Sequence, residues 1–146
     1  MVKVNCLALT RITRAVLPYM PRKARIVQVA SSAAFVPQPG FAVYAATKSY
    51  VLNLSLALRQ ELKKRGIIVT AVCPGPVKTE FFDTAYQKKE MKLYKKLAMA
   101  KPEKVVKKAL RDVKRGRAVS VYGLSMKAVR VLCKLLPSGL IVRLIG

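Results

Sequence analysis

The chain has 146 residues, enough for one domain with a sizeable core, and its apolar content of 53% argues against disorder. Its formal net charge is +23, and it contains no histidine, which excludes Ser-His-Asp hydrolysis and histidine-ligated metal sites, so we predict no metal centre. Cys6, Cys73 and Cys133 are widely spaced with no CxxC pair, which favours buried thiols in a reducing cytoplasm.

The first predicted element is a helix over residues 3–19, with Leu9, Ile12 and Val16 as its apolar stripe. Pro18 closes this helix. Asn5 lies in the first turns, where a capping role is one interpretation and a functional role is the other. Residues 25–30 form a short β-branched run, which is typical of a buried strand in a parallel sheet.

That strand ends in Ser31 and Ser32, and a Pro/Gly loop leads into a helix predicted over residues 42–65. Tyr44 and Lys48 are four residues apart in this helix, so their side chains lie over one another on one face. We expect the ammonium to lower the pKa of the phenol from about 10, because it favours the phenolate. Such a tyrosine can exchange a proton with a substrate oxygen, to which Ser31 can also hydrogen-bond.

The same four-residue spacing between a tyrosine and a lysine occurs earlier in the chain and carries no such prediction. Tyr19 and Lys23 are separated in the same way, but Pro18 and Pro21 bracket Tyr19 and interrupt a helix there. The spacing alone is therefore a weak signal, and it is the strand, serine and loop before Tyr44 that favour the later pair.

The predicted helix over residues 42–65 buries one face and leads into a second strand. That face carries four apolar residues, Val51, Leu54, Leu58 and Leu62, and Gly66 supplies the C-cap. Residues 67–73 read as another buried strand, so strand, helix and strand make one right-handed parallel crossover. Ligands of such sheets bind at the carboxyl ends of the strands, where Ser31 and the Pro74-Gly75 pair both fall.

The second half of the chain alternates helix, strand and helix less regularly. A helix is predicted from Pro102 to about residue 115, followed by Gly116 and a third strand over residues 117–122. The tail, residues 123–146, is predicted as a basic amphipathic helix that Pro137-Ser138-Gly139 interrupts. Its cations Lys127, Arg130 and Lys134 form a narrow stripe, which suits either an interfacial helix or a helix packed on a partner.

Four residues and one segment of this sequence resemble the short-chain dehydrogenase/reductase family. The family's catalytic asparagine, serine, tyrosine and lysine match Asn5, Ser31, Tyr44 and Lys48, and its Pro-Gly segment matches residues 74–79. The resemblance is firm from residue 1 to about residue 82. It implies an α/β fold with a partial Rossmann-like, doubly wound parallel sheet, comprising the last three strands and flanking helices over residues 1–122, and a helical C-terminal tail.

The resemblance also implies a chemistry, which is hydride transfer between NAD or NADP and a small-molecule carbonyl or secondary alcohol. Tyr44 is then the acid/base and Lys48 holds the nicotinamide ribose, while Pro74, Gly75, Val77 and Thr79 contact the nicotinamide end of the cofactor. Ser31 polarises the carbonyl and Asn5 serves a proton relay. Residues 81–99 correspond to a mobile substrate lid, with a solvated helix pair as the alternative.

A glycine-rich phosphate cradle, with which nucleotide-binding sheets of this type begin, is absent from the sequence. None of the seven glycines lie at GxxxGxG spacing. We therefore expect the chain to be the C-terminal part of a reductase that is inactive alone. The choice between NAD and NADP is made on the part that this sequence lacks. A competing interpretation is a non-catalytic fragment of the same fold that binds a lipid surface or a protein.

The charge is concentrated in the second half, because residues 61–146 hold 21 of the 29 Lys and Arg. A solvated basic surface and a surface that attracts anionic lipid both remain open. No nucleic-acid partner is expected, because aromatic residues are not interleaved with the basic runs. The resemblance to the short-chain dehydrogenase/reductase family implies a lipid-like or acyl substrate. The expected location is cytoplasmic, with peripheral membrane contact left open. A homo-oligomer through helices 3–19 and 42–65 also remains open.

Overall fold

The computed structural model describes residues 1–78 and 99–145. The chain begins with one continuous helix in three parts: a π-helical stretch Lys3–Ala8, helix α1 (Leu9–Val16) and a 3-10 turn Leu17–Tyr19. This range agrees with the predicted helix. Pro18 is tolerated because it lies at the start of the 3-10 turn, where a backbone N–H donor is not needed.

The predicted apolar stripe of this first helix is only partly right. Leu9 packs against the core, but Ile12 and Val16 are exposed. The face that meets the protein is instead partly polar: Thr13 on this face accepts a hydrogen bond from Gln28 of the sheet at 3.0 Å.

Three parallel strands form the sheet: β1 (Arg25–Val29), β2 (Ile68–Val72) and β3 (Val119–Ser120), in the order β1-β2-β3. Helix α2 (Ala42–Glu61) connects β1 to β2 and continues as a 3-10 turn Leu62–Arg65. Gly66 then takes a left-handed φ of 68°, which lets the chain turn sharply into β2. The α/β class with a parallel crossover is confirmed, although β3 is shorter than the predicted strand over residues 117–122.

Strand β2 lies at the centre of the core. Val69, Ala71 and Cys73 are fully buried on the side that meets α2. Successive residues of a strand point to opposite faces, so the buried Thr70 and Val72 need cover on the other face. Helix α3 (Pro102–Lys114), which packs against β2 and β3, provides that cover.

The prediction that β1 is a buried strand is wrong for one of its faces. Ile26 and Gln28 point into the protein, whereas Val27 and Val29 are exposed. Val27 and Val29 pair with Thr70 and Val72 and so point to the face that α3 covers over β2 and β3, a cover that does not extend to β1. In the described part of the chain no element covers this face of β1.

A buried carboxylate fastens α3 to β3. The Asp112 side chain is almost fully buried, accepts a hydrogen bond from Ser120 Oγ at 2.7 Å and forms an ion pair with Lys108. Burial raises the pKa of this carboxyl, but the bonds from Lys108 and Ser120 and the charges of Lys108 and Arg117 outweigh it. The net pKa of Asp112 is therefore below its ordinary value.

The tail forms two helices, α4 (Leu124–Leu135) and α5 (Ser138–Ile145), with the predicted interruption between them. Helix α4 packs back onto the 3-10 helix Ser32–Phe35 that follows β1. The predicted cationic stripe is corrected at one position: Lys127 and Lys134 are exposed, but Arg130 is half-buried. In the described parts of the chain, no helix combines the length and apolar composition needed to cross a bilayer.

Candidate active site

The carboxyl ends of β1 and β2 meet at one edge of the sheet, as predicted. The backbone ladder continues past both strands, from Ala30 N to Val72 O at 2.9 Å and from Ser32 N to Pro74 O at 2.8 Å. Ser31 therefore lies beside the Pro74-Gly75 turn, because these two bonds flank it on either side.

Ser31 is buried and holds the start of the 3-10 helix Ser32–Phe35. Its Oγ accepts a hydrogen bond from Ala33 N at 3.1 Å, which is the local role of an ordinary loop serine. Because the hydroxyl acts as an acceptor in this bond, its hydrogen is available for donation to another oxygen. The local role and a substrate-binding role are thus compatible in Ser31, whereas Ser32 is itself part of the 3-10 helix.

Tyr44 and Lys48 occupy the first two turns of α2, with Lys48 Nζ 5.7 Å from the centroid of the Tyr44 ring. Lys48 Nζ also donates to Val29 O, at the carboxyl end of β1, at 3.0 Å. Burial lowers the pKa of the Lys48 ammonium, and the nearby Cys73 offsets part of that effect. The lysine thus carries a cation to the edge of the sheet where Ser31 lies, with N–H groups left for a ligand.

Asn5 does not cap its helix, since the residue at the cap is Val2 and no side chain bonds there. Asn5 Nδ2 instead donates to Thr47 Oγ1 at 3.1 Å, and Thr47 Oγ1 donates to the backbone oxygen of Tyr44 at 2.9 Å. This Asn5–Thr47–Tyr44 chain of hydrogen bonds ties the π-helical stretch to the turn that carries Tyr44 and Lys48. The capping interpretation is therefore wrong.

Thr47 was missed by sequence reasoning, although one local signal points to it. A threonine inside a helix commonly bonds the carbonyl three or four residues before it, here that of Tyr44. Its other partner, Asn5, is 42 residues away in sequence and only the fold brings it near.

Cys73 lies directly beneath this site and is fully buried. Burial raises the pKa of its thiol. The charge of Arg130, the backbone N–H of Ser31 and the charge of Lys48 oppose this effect but do not cancel it, and the resulting pKa is about 11. The prediction of buried thiols is confirmed for Cys73 but is wrong for Cys6 and Cys133, which are only half-buried.

A cavity of about 260 Å³ adjoins the Pro74-Gly75 turn, with walls from the start of α3, the end of β3 and the start of α4. Gly75 is packed against Met126, whose Cγ and Sδ would lie 2.7 Å from a Cβ at this position, so a larger residue does not fit without movement. Lys104 and Tyr122 bring polar groups to the cavity wall.

Of the predicted cofactor contacts, Tyr44, Lys48, Pro74 and Gly75 lie around the carboxyl edge of β1 and β2. Val77 lies just beyond the turn and forms an isolated parallel bridge with Ala100. Thr79 and most of the predicted lid segment lie outside the described residues. A cationic donor beside the half-buried Pro74-Gly75 turn fits the ribose and nicotinamide end of a dinucleotide, although the chain's glycines offer no cradle for its phosphates.

The family model described as short chain dehydrogenase matches residues 1–90. Among curated proteins, the chain is 38% identical over 89 residues to human dehydrogenase/reductase SDR family member 4, an alignment covering 60% of this chain and 32% of that protein. It is 35% identical over 82 residues to the very-long-chain 3-oxoacyl-CoA reductase of Rattus norvegicus, covering 55% of this chain and 26% of that protein.

Two solved structures are similar over most of the chain. A short-chain dehydrogenase from Sphingobium yanoikuyae in complex with NADPH is 30% identical with a TM-score of 0.75, covering 96% of this chain and 54% of that one. A 3-ketoacyl-(acyl-carrier-protein) reductase from Brucella melitensis complexed with NADH is 26% identical with a TM-score of 0.69, covering 82% and 53%. The chain thus spans about a quarter to a third of the length of the curated relatives it matches, and about half of these solved structures.

Proposed function

The chain belongs to the short-chain dehydrogenase family, and on that premise we propose that it provides the catalytic half of an NAD(P)-dependent oxidoreductase. The reaction would interconvert a carbonyl and a secondary alcohol. The observation that carries this proposal is the meeting of Ser31, Lys48 and the Pro74-Gly75 turn at one edge of the sheet, with Tyr44 beneath the Lys48 ammonium.

Each side chain has a distinct task in the proposed reaction. The nicotinamide, when bound, supplies or accepts the hydride. Tyr44 gives a proton to the carbonyl oxygen in reduction and takes it back in oxidation, and Ser31 donates a hydrogen bond to the same oxygen. Lys48 uses N–H groups other than the one bound to Val29 to hold the ribose, and its ammonium lies 5.7 Å from the centroid of the Tyr44 ring.

In the proposed reaction Asn5 positions the catalytic turn and also takes part in a proton relay. Its amide bonds Thr47, which bonds the backbone oxygen of Tyr44, so the turn that carries Tyr44 and Lys48 is held to the first helix. Preorganised geometry of this kind contributes to rate because misplacement of a reacting group by about 1 Å can cost on the order of 10²-fold.

The proposed substrate is an acyl or lipid-like carbonyl compound. Two similar proteins carry names that state 3-oxoacyl or 3-ketoacyl reduction. The cavity beside the Pro74-Gly75 turn has room for part of such a molecule, with Lys104 at its wall. We further propose a cytoplasmic location.

A homo-oligomer is proposed through the outer faces of the first helix and α2. These faces expose apolar side chains, among them Leu7 and Ile12 on the first helix and Val43 and Leu56 on α2. Exposed apolar faces on adjacent helices are typical of surfaces that pair with another copy.

The first test is made on residues 1–146 alone. We expect this polypeptide to bind neither NADH nor NADPH measurably, because the residues at the sheet edge address only the nicotinamide end and no phosphate cradle is present in the sequence. Binding is measured by nicotinamide fluorescence while NADH or NADPH is titrated with monodisperse protein. Saturable micromolar binding would contradict the dependence on a second half.

The second test joins this chain to the N-terminal half of the short-chain dehydrogenase from Sphingobium yanoikuyae, which has a similar fold. Tyr44→Phe in that chimaera should lower turnover by roughly 10²–10⁴-fold with little change in cofactor affinity, since only the proton donor is lost. Tyr19→Phe is the matched control, because Tyr19 is exposed and outside the site. Near-normal turnover of the Tyr44 variant would refute the assignment.

A second candidate function, a non-catalytic fragment that binds a lipid surface, is favoured by the apolar and basic tail. Vesicle binding without nicotinamide binding, and without turnover in the chimaera, would select this candidate over the oxidoreductase.

A further inference from the structure

Helix α4 presents its outer face as an apolar ridge. Leu124, Ala128, Val131 and Leu135 recur at intervals of four, three and four residues, so they share one side of the helix. All four residues are exposed, Leu124 to 83% and Leu135 to 75%. We call these four residues the α4 ridge.

The orientation of this ridge is fixed by contacts on the opposite side of α4. Met126 packs against Gly75, and Arg130 and Cys133 line a small cavity together with Phe35 and Leu52, which the exposed Lys134 also borders. The inward face of α4 is therefore occupied by the body of the protein. The ridge points outward because the helix cannot turn it inward without breaking these contacts.

Cations border the ridge, and no acid lies near it in the sequence. Lys127 and Lys134 are exposed along one edge of the ridge. No Asp or Glu follows Asp112, whereas seven Lys and Arg do. A second copy of this surface would bring like charges together, but an anionic lipid surface complements both its charge and its apolar character.

We propose that the α4 ridge, with Lys127 and Lys134, is a docking surface for anionic phospholipid bilayers. The helix lies in the plane of the interface, the four apolar side chains enter the boundary of the acyl chains, and the two ammonium groups meet the lipid phosphates. The inference goes beyond the proposed oxidoreductase activity and does not depend on it. It also places the membrane contact on one helix face instead of on the basic surface as a whole.

A tryptophan reporter tests the orientation directly, since the chain contains no tryptophan of its own. Leu135→Trp places the indole on the ridge, and Leu110→Trp is the matched control, because Leu110 is also exposed, at 56%, but on α3. The vesicles are phosphatidylcholine with about one-third phosphatidylglycerol, carrying a lipid with a brominated acyl chain. We expect quenching and a blue shift for Leu135→Trp only. Equal quenching of both reporters, or quenching of the control alone, would overturn the proposal.

Co-sedimentation of the full chain with the same vesicles tests the charges. Lys127→Gln and Lys134→Gln should each weaken partition about fivefold, and raising NaCl from about 0.1 M to about 0.5 M should weaken it further. Lys63→Gln is the matched control, an exposed lysine at the end of α2. Binding that is equally strong to pure phosphatidylcholine, or equally sensitive to all three lysines, would overturn the proposal.

A measurement of the oligomeric state distinguishes lipid docking from the other possible occupant of the ridge, a second copy of the chain. Val131→Ser and Leu135→Ser should abolish vesicle binding and leave the mass of the protein by light scattering unchanged. A dimer that these variants dissociate, together with no binding of the original chain to vesicles, would show that the ridge pairs with itself and would refute lipid docking.

Discussion

Replacing Thr47 by valine removes one hydroxyl from the centre of the site and keeps the shape of the side chain. That hydroxyl accepts from Asn5 Nδ2 at 3.1 Å and donates to the backbone oxygen of Tyr44 at 2.9 Å, and Thr47 is only 3% exposed. The intrinsic helix preferences of threonine and valine are similar, so the change isolates the two hydrogen bonds.

The expected loss of stability follows from these two bonds. Each neutral hydrogen bond contributes about 0.5–1.5 kcal/mol net, and a polar group left buried without a partner costs about 1–3 kcal/mol. Asn5 is half-buried, so water can satisfy part of its amide, and we expect about 2–3 kcal/mol in total for Thr47→Val. For a chain of this length that corresponds to a fall in Tm of roughly 6–12 °C.

Urea unfolding followed by far-UV circular dichroism measures this loss on monodisperse protein. Thr47→Ser is the matched control, because it keeps the hydroxyl and loses only one methyl group, at about 1 kcal/mol. In the double variant Asn5→Ala, Thr47→Val, the loss in free energy of unfolding should be about 1 kcal/mol smaller than the sum of the losses in the two single variants. A valine variant no less stable than the serine variant would refute the role of the Thr47 hydroxyl.

Three further predictions concern stability and reactivity. Asp112→Asn should lower the free energy of unfolding by about 1–3 kcal/mol at neutral pH. Because the pKa of Asp112 is lowered on folding, its contribution to stability is present above about pH 4 and is lost as the pH falls through the folded value, so the stabilities of the two proteins should converge in acid. A constant difference between their urea titrations across that pH range would contradict this prediction. Cys73 should resist a thiol reagent at pH 8 until urea unfolds the chain, whereas the two half-buried cysteines react earlier, and labelling of all three at one rate would disprove it. Gly75→Ala should destabilise the protein by about 1–3 kcal/mol through its clash with Met126, and Met126→Ala in the same chain should recover part of that loss. If the second substitution recovered no stability, Met126 would not be the obstacle.

Several elements were predictable because their signals are local. Helix α2 is one example, since its apolar spacing, terminal cations and Gly66 all lie within one stretch of sequence. The parallel crossover from β1 to β2 follows from the same local pattern and from the handedness rule, which is why Ser31 and Pro74 were expected together.

The errors arose where burial depends on neighbours that a local pattern does not contain. Val27 and Val29 have the composition of a buried strand, but β1 lies at the edge of the described sheet and nothing in the described chain covers them. Ile12 is similar, because an apolar spacing on a helix does not say which face meets the protein. Arg130 fitted a cationic stripe by spacing, yet the packing of α4 turns it inward.

By itself, the sequence determined the order and type of the elements, the family, and the residue types at the site: Ser31, Tyr44, Lys48 and the Pro74-Gly75 pair. Only the tertiary structure decided the partners of these residues across the chain. The bond from Asn5 to Thr47, the bond from Lys48 to Val29 and the packing of Met126 on Gly75 join residues that are 19 to 51 positions apart. Local propensity and periodicity act over one or two turns of chain, whereas these contacts exist only after the sheet and the helices have packed together.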